Sequence, residues 1–136
     1  MPFLRSMIRS GWTTVLLIAL ASAVAQAFGR FTYGILLPAV RDDMGITNTE
    51  AGLIGAANVG AYLLGTMLVA WATNRYLLLN VMRLGLIMTT LGLLLASVAS
   101  SPLFLTMALF VAGLGGAFLW IPAPVIASAA LPIARQ

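Results

Sequence analysis

Apolar residues dominate the chain in four long blocks, and short polar stretches separate these blocks. A bilayer core about 30 Å thick is crossed by roughly 20 helical residues, and each block is at least that long. The pattern therefore predicts an all-α integral membrane protein with about four transmembrane helices. The expected spans are residues 11–40, 47–72, 77–99 and 102–131.

Local signals mark where these helices begin and end. Thr47 and Glu50 have capping-box spacing, which predicts a helix start at the second block. Ser101 before Pro102 predicts the start of the fourth helix, because proline loses nothing at the first helical position. The charged run 41–43 is expected to end the first block. The fourth block should kink or break at its prolines, which are Pro122, Pro124 and Pro132.

The connections between the blocks are short, at about six, four and three residues. Consecutive helices are therefore expected to run antiparallel and to lie side by side. Residues 1–136 should form a single transmembrane bundle without a linker.

Arginine placement predicts the orientation, since arginines near helix ends stay cytoplasmic. One side carries Arg5, Arg9, Arg75, Arg83 and Arg135. The other side carries Arg41 together with the acidic residues Asp42, Asp43 and Glu50. Both termini are thus expected in the cytoplasm and the bundle in the cell inner membrane. A second interpretation is a cleaved signal peptide, with a basic segment 1–10, an apolar segment 11–25 and a cleavage site at residues 25–27.

Composition narrows the function classes further. Of the 136 residues, 62% are hydrophobic and 7% are charged, which excludes a soluble globular domain. The net charge of +4 is spread over short segments, so nucleic-acid binding is not expected. The chain has no Cys and no His, which argues against a disulfide framework, a zinc site, a cofactor site and most hydrolytic enzymes. We therefore expect no enzymatic activity.

Arg30 is the main candidate for a functional residue within a predicted span. A guanidinium costs about 2.5 to 3.5 kcal/mol or more at the bilayer centre, so it usually faces a cavity or a partner. Gln26, Arg30 and Tyr33 share one helical face with Leu37, and that face could line a pathway. The alternative is that Arg30 lies nearer the outer interface and extends its charged head to water.

The second block places a set of small and polar residues on one face, namely Gly55, Asn58, Tyr62 and Gly65. Asn58 should point into the bundle, because an amide in lipid needs hydrogen-bond partners. A hydrogen bond between helices and a contact with a substrate explain Asn58 equally well. Trp120 is a further candidate for the wall of a pocket, with packing or interface anchoring as the alternative.

Small residues recur at every fourth position and predict close helix packing. They are Gly52, Ala56 and Gly60 in the second block, and the pairs Ala112 with Gly116 and Gly113 with Ala117 in the fourth. No Asp or Glu lies inside a predicted span. Proton or sodium coupling by an intramembrane carboxylate is therefore not expected from these four helices.

Residues 28–38, which read FGRFTYGILLP, resemble the start of a major facilitator superfamily transporter, as do residues 42–47 (DDMGIT) and 51–53 (AGL). Within that superfamily the chain is most similar to the YbfB/YjiJ-like branch. The resemblance covers essentially the whole chain as helices one to four. Because the family has twelve helices in two halves of two inverted three-helix repeats, the resemblance implies an N-terminal fragment with one repeat and the first helix of the next.

The resemblance also identifies a loop between helices two and three, where the family usually reads Gly-x-Leu-Ala-Asp-Arg-x-Gly-Arg-Arg. Residues 70–77 here read AWATNRYL, so Arg75 matches, whereas Asn74 replaces the aspartate and Leu77 a glycine. Asn74 and Arg75 are the implied gating residues. Leu109 stands where the family often carries an arginine before a Gly-x-Gly stretch, so the coupling role of that arginine does not transfer.

By resemblance, the expected function is that of a permease that moves a small solute by alternating access as part of a longer protein. Arg30 favours an anionic or carbonyl-rich solute, and Gln26, Tyr33, Asn58 and Tyr62 are candidate hydrogen-bond partners. The expected partners are the lipid bilayer, the solute, and the remaining helices or further copies of the chain. One alternative is a four-helix small multidrug carrier acting as a dimer, although that class needs a carboxylate where Arg30 stands. Another is a non-transporting membrane subunit or assembly protein that packs through its Gly-rich faces.

Overall fold

The computed structural model describes residues 11–27 and 31–130 of the chain. This part contains no strand, and its helices are α1 (Gly11–Gln26), α2 (Thr32–Met44), α3 (Asn48–Ala72), α4 (Leu78–Ser97), α5 (Pro102–Trp120) and α6 (Ala123–Ala130). Three segments are long and apolar enough to cross a membrane: Asn48–Ala72, Leu78–Ser97 and Pro102–Ala129. A shorter apolar helix covers Thr13–Gln26. The predicted all-α membrane fold is confirmed.

Two predicted helix starts are present with their caps. The Thr47 hydroxyl accepts a hydrogen bond from the Glu50 backbone N–H at 3.2 Å, and the Glu50 carboxylate accepts one from the Thr47 N–H at 2.8 Å. At the start of α5, the Ser101 hydroxyl accepts from the Phe104 N–H at 3.3 Å, and Pro102 occupies the first turn. Both caps satisfy amides that have no partner within their helix.

The first block differs from the single span predicted for residues 11–40. The described residues form two helices, α1 and α2, and residues 28–30 between them lie outside the described ranges. The expected end at the charged run was also wrong, because α2 continues through this run to Met44. Gly45 then ends the helix with a left-handed backbone (φ 64°). Arg41 stabilises this end by donating to Asp42 at 2.8 Å and to Asn48 at 3.1 Å.

The fourth block is interrupted where its prolines begin. α5 ends at Trp120 and α6 begins at Ala123, with the buried Pro122 between them. Pro122 and Pro124 have no amide hydrogen to donate to the carbonyls of Phe118 and Trp120, four residues earlier in each case. The expected break is therefore present at the first two prolines, whereas Pro132 lies outside the described residues, as do Arg5, Arg9, Arg30 and Arg135.

The α5 helix forms the centre of the described bundle, since α3 and α4 both pack extensively on it. α3 runs parallel to α5 along residues 54 to 69, whereas α4 runs antiparallel to α5. The expectation that consecutive helices lie side by side was wrong for α3 and α4, which have almost no contact with each other. α1 packs mainly on α6 and α5, and α2 packs on α3.

Glycine explains how α5 approaches both neighbours closely. A Cβ atom on Gly92 of α4 would come within 2.6 Å of the Ala112 backbone nitrogen of α5. A Cβ atom on Gly65 of α3 would come within 2.7 Å of the Ala117 side chain of α5. Close packing is thus confirmed for the two predicted pairs of α5, all four of whose members are buried.

The other small-residue stripe does not take part in this packing. Gly52, Ala56 and Gly60 lie on the exposed face of α3, and neither glycine has a neighbouring atom where a Cβ would stand. Within the described residues, the prediction that this stripe packs against another helix was wrong. The core of α3 lies on its opposite side, at Ile54, Asn58, Ala61, Gly65 and Val69.

Candidate solute grooves

Gln26 and Trp120 come together in one groove of the bundle. The groove lies between α1 and α6, holds about 360 Å³, and has walls formed mostly by Val, Ile, Ala and Pro side chains. Gln26 is half-buried near the end of α1, and Trp120 is exposed at the end of α5. The break at Pro122 turns α6 into a separate short helix, and its first residues, Ala123 and Pro124, complete the wall.

Ser22 is a polar residue of this groove that the sequence interpretation missed. Its side chain is only 4% exposed, and its hydroxyl has no hydrogen-bond partner among the described residues. A buried hydroxyl without a partner costs about 1 to 3 kcal/mol. The spacing of four residues between Ser22 and Gln26, which places them on one helical face, is the signal that could have identified Ser22.

Tyr33 lines a different groove, which lies between α2, α4 and α5 and holds about 340 Å³. Its hydroxyl donates a hydrogen bond to the Ala51 carbonyl of α3 at 2.8 Å. Gly55 leaves room for the ring, since a Cβ atom there would lie 3.3 Å from the Tyr33 Cε1. Thr32, Ser97 and several leucines form the rest of the wall.

The two grooves lie towards opposite ends of the bundle. The groove of Tyr33 is beside a cluster that contains Ile54, Leu105 and Leu109, near the α2–α3 and α4–α5 connections. The groove of Gln26 is at the α5–α6 junction, which lies near the α3–α4 connection because Phe118 packs with Ala72 and Val81. Gln26 and Tyr33 therefore do not line one groove, and Arg30, between them in sequence, lies outside the described residues.

Asn58 points into the bundle, as predicted, and is only 4% exposed. Its side-chain Nδ2 donates a hydrogen bond to the Leu109 carbonyl of α5 at 2.6 Å. Of the two interpretations of Asn58, a bond between helices or a contact with a substrate, the structure shows the bond between helices. Tyr62 is half-buried beside Gly116, where a Cβ atom would lie 3.7 Å from the Tyr62 ring. Neither residue lines the two grooves described above.

Asn74 and Arg75 are exposed in the connection between α3 and α4. The Arg75 guanidinium carbon lies 6.0 Å from the centre of the Trp71 ring, which is cation–π distance. Trp71 and Tyr76 meet edge to face, with their ring centres 6.4 Å apart. The two predicted gating residues thus stand beside an aromatic pair at one end of the bundle.

Ionisable groups form no cluster in the described part of the chain that could hold a metal ion. The acidic residues there, Asp42, Asp43 and Glu50, are exposed and gathered where α2 meets α3. The candidate sites are apolar grooves whose walls include a few hydroxyl, amide and phenol groups.

Apolar helices of membrane-spanning length around such grooves define the class of multi-pass membrane proteins. A family model described as Major Facilitator Superfamily matches residues 18–136 of the chain. The match covers far more than half of the sequence, so the chain belongs to the major facilitator superfamily, a family of transporters. No match was found among curated proteins or among solved structures.

Proposed function

We propose that this chain is the N-terminal part of a major facilitator transporter of the YbfB/YjiJ-like branch, which moves a small solute by alternating access. The observation that carries the proposal is the groove between α1 and α6, where the unpartnered Ser22 hydroxyl lies next to Gln26 and Trp120. A solute with hydrogen-bonding groups would bind the Gln26 amide here, and a small movement of α1 would bring it to the Ser22 hydroxyl. The apolar walls would exclude water around it.

The order of the helices supports this assignment. α1 with α2, then α3, then α4 would form the first three-helix repeat, and α5 with α6 would form the first helix of the next repeat. Helices of a longer chain would cover the exposed apolar faces and complete the cavity. The family match favours this interpretation over a small multidrug carrier and over a non-transporting subunit.

Two grooves towards opposite ends would give a solute path one entrance on each side of the membrane, and alternating access would open these entrances in turn. We propose that the groove of Gln26 opens to the cytoplasm and the groove of Tyr33 to the outside. The arginines near the α3–α4 connection support this orientation in the inner membrane. Arg30 lies between Gln26 and Tyr33 in sequence and would bind an anionic solute on its path.

Cysteine labelling tests this proposal, because the natural chain has no cysteine of its own. Gln26→Cys and Ser97→Cys each place one thiol in one groove. We expect a membrane-impermeant maleimide to label Gln26→Cys from the cytoplasmic side and Ser97→Cys from the outside. A panel of small carboxylates and phosphates should include compounds that slow labelling of Gln26→Cys, and Ser22→Ala should weaken that protection.

Leu63→Cys is the matched control, because Leu63 is exposed on the outer face of α3, where lipid is expected. It should resist the water-soluble reagent from both sides. If Gln26→Cys resists labelling as fully as Leu63→Cys does, the groove of Gln26 is closed to water and the proposed solute path is wrong.

A further inference from the structure

A third groove of about 350 Å³ runs along the bundle where α3 ends and α4 begins. Its walls are apolar apart from Asn80, with Leu68 from α3, Leu84 from α4 and Phe118 from α5. Nearest the α3–α4 connection, the groove is lined by Trp71 and Tyr76, which are 57% and 59% exposed. An apolar channel that ends at two amphipathic rings has the polarity gradient of a membrane interface.

Arg75 adds a positive charge at this end without a carboxylate to neutralise it. The acidic residues of the described chain lie at the start of α3 or before it, about 37 Å away along a helix of 25 residues. The ion pair in the described part joins Arg41 to Asp42 at that far end. The neighbour of Arg75 is Asn74, which is neutral. The guanidinium packs over the Trp71 ring, which leaves its hydrogen-bond donors open to an external anion.

The depth of Arg75 in the membrane indicates where that anion comes from. Arg75 lies between a span that ends at Ala72 and a span that begins at Leu78, so it stands at the level of the lipid headgroups. A phosphate at that level belongs to a molecule with acyl chains, and the apolar groove offers those chains a surface. Neutral lipids match the groove equally well but lack the net negative charge that complements Arg75.

We propose that this groove binds an anionic phospholipid, with its phosphate at Arg75 and one acyl chain along Leu68, Leu84 and Phe118. The Trp71 and Tyr76 rings flank the boundary between headgroup and chain. The site is separate from the solute grooves, so its test does not depend on transport.

Native mass spectrometry of the purified chain in a non-ionic detergent measures this binding directly. Phosphatidylglycerol and phosphatidylcholine with identical chains are the probes, added at equal concentration. We expect about fivefold higher occupancy with phosphatidylglycerol, the ratio that one arginine near an anionic surface provides. Arg75→Gln should remove the preference, whereas Arg83→Gln, an equal loss of charge on the exposed surface of α4 outside the groove, should preserve it.

A second pair of variants tests the groove itself without changing charge. Leu84→Trp fills the groove and should reduce the occupancy of both lipids, whereas Leu91→Trp, on an exposed position of α4 outside it, should not. Equal binding of the two lipids by the natural chain would overturn the proposal, as would an equal effect of the two arginine variants. Glycerol 3-phosphate should not compete at the same concentration, and full competition by it would show a site for soluble phosphate instead.

Discussion

At the scale of single residues, Asn58 and Ser22 show two outcomes for a polar group buried among apolar helices. Both side chains are 4% exposed. Asn58 uses its amide to bind the Leu109 carbonyl and so joins α3 to α5. The Ser22 hydroxyl has no partner among the described residues, although it lines a groove. Asn58 thus contributes a bond between helices, whereas the Ser22 hydroxyl is buried without a partner among the described residues.

Replacing Asn58 by alanine should therefore destabilise the bundle. The loss of an interhelical hydrogen bond in a membrane is expected to lower the free energy of unfolding by about 1 kcal/mol. Unfolding of the reconstituted chain by SDS titration measures this quantity. Asn74→Ala is the control, because Asn74 is exposed in the α3–α4 connection. An equal loss for the two variants would show that the Asn58 bond contributes nothing specific.

The inward position of Asn58 could be predicted because an amide that faces lipid finds no hydrogen-bond partner there. The positions of Gln26 and Tyr33 relative to each other could not be predicted. The prediction that they share one helical face required one continuous helix from residue 11 to residue 40. The described chain has two helices there with different neighbours. Spacing rules hold only within one helix, so they give no relation across such a boundary.

At the scale of helices, α5 organises the bundle because its small residues let α3 and α4 approach it on two sides. Gly113 and Gly116 face Asn58 and Tyr62 of α3, while Gly115 lies against Thr89 of α4. Without water between helices, such contacts depend on van der Waals packing, which close approach strengthens.

The same Gly→Ala substitution at two positions separates the effect of close packing on stability from the effect of helix propensity. Gly92→Ala places a methyl group against the backbone of α5 and should destabilise the bundle by about 1 to 3 kcal/mol. Gly60→Ala meets no atom on the exposed face of α3 and should be neutral or stabilising by up to about 1 kcal/mol. Thermal unfolding in detergent compares the two. Equal changes in both variants would show that propensity alone decides the effect.

The helices of this chain could be predicted from the sequence more completely than their arrangement. Apolar length and caps identify both ends of α3 and α4 to within two residues, and they identify the start of α5. Their buried faces carry no such signal, because exposed side chains such as Leu63 and Leu94 are as apolar as the core. Small residues are a partial guide only, since those of α5 are buried and the stripe at Gly52, Ala56 and Gly60 is exposed.

At the scale of the whole molecule, the described bundle has two distinct ends. One end gathers the acidic residues and Arg41, and the other carries Arg75 and Arg83. The positive-inside rule then favours one orientation for the entire chain. This prediction concerns the protein in a living membrane, so it needs a test there.

Reporter fusions determine the orientation. Alkaline phosphatase, which is active only outside the cytoplasm, should be active when fused after Gly45 and inactive when fused after Gln136. A fluorescent protein that folds in the cytoplasm should give the reverse pattern. Phosphatase activity at Gln136 would contradict cytoplasmic termini, and removal of the first span by a signal peptidase would be the next hypothesis to examine.

The central position of α5 also affects the biogenesis of the protein. The ribosome releases α3 and α4 before α5, yet these two helices have almost no contact with each other. A nascent chain that stops at Ser97 would thus lack the main packing partner of both helices. Once Trp120 has entered the bilayer, both helices gain their shared neighbour in one step. We therefore expect the nascent chain to become resistant to membrane proteases only after the 19 residues of α5 have been made.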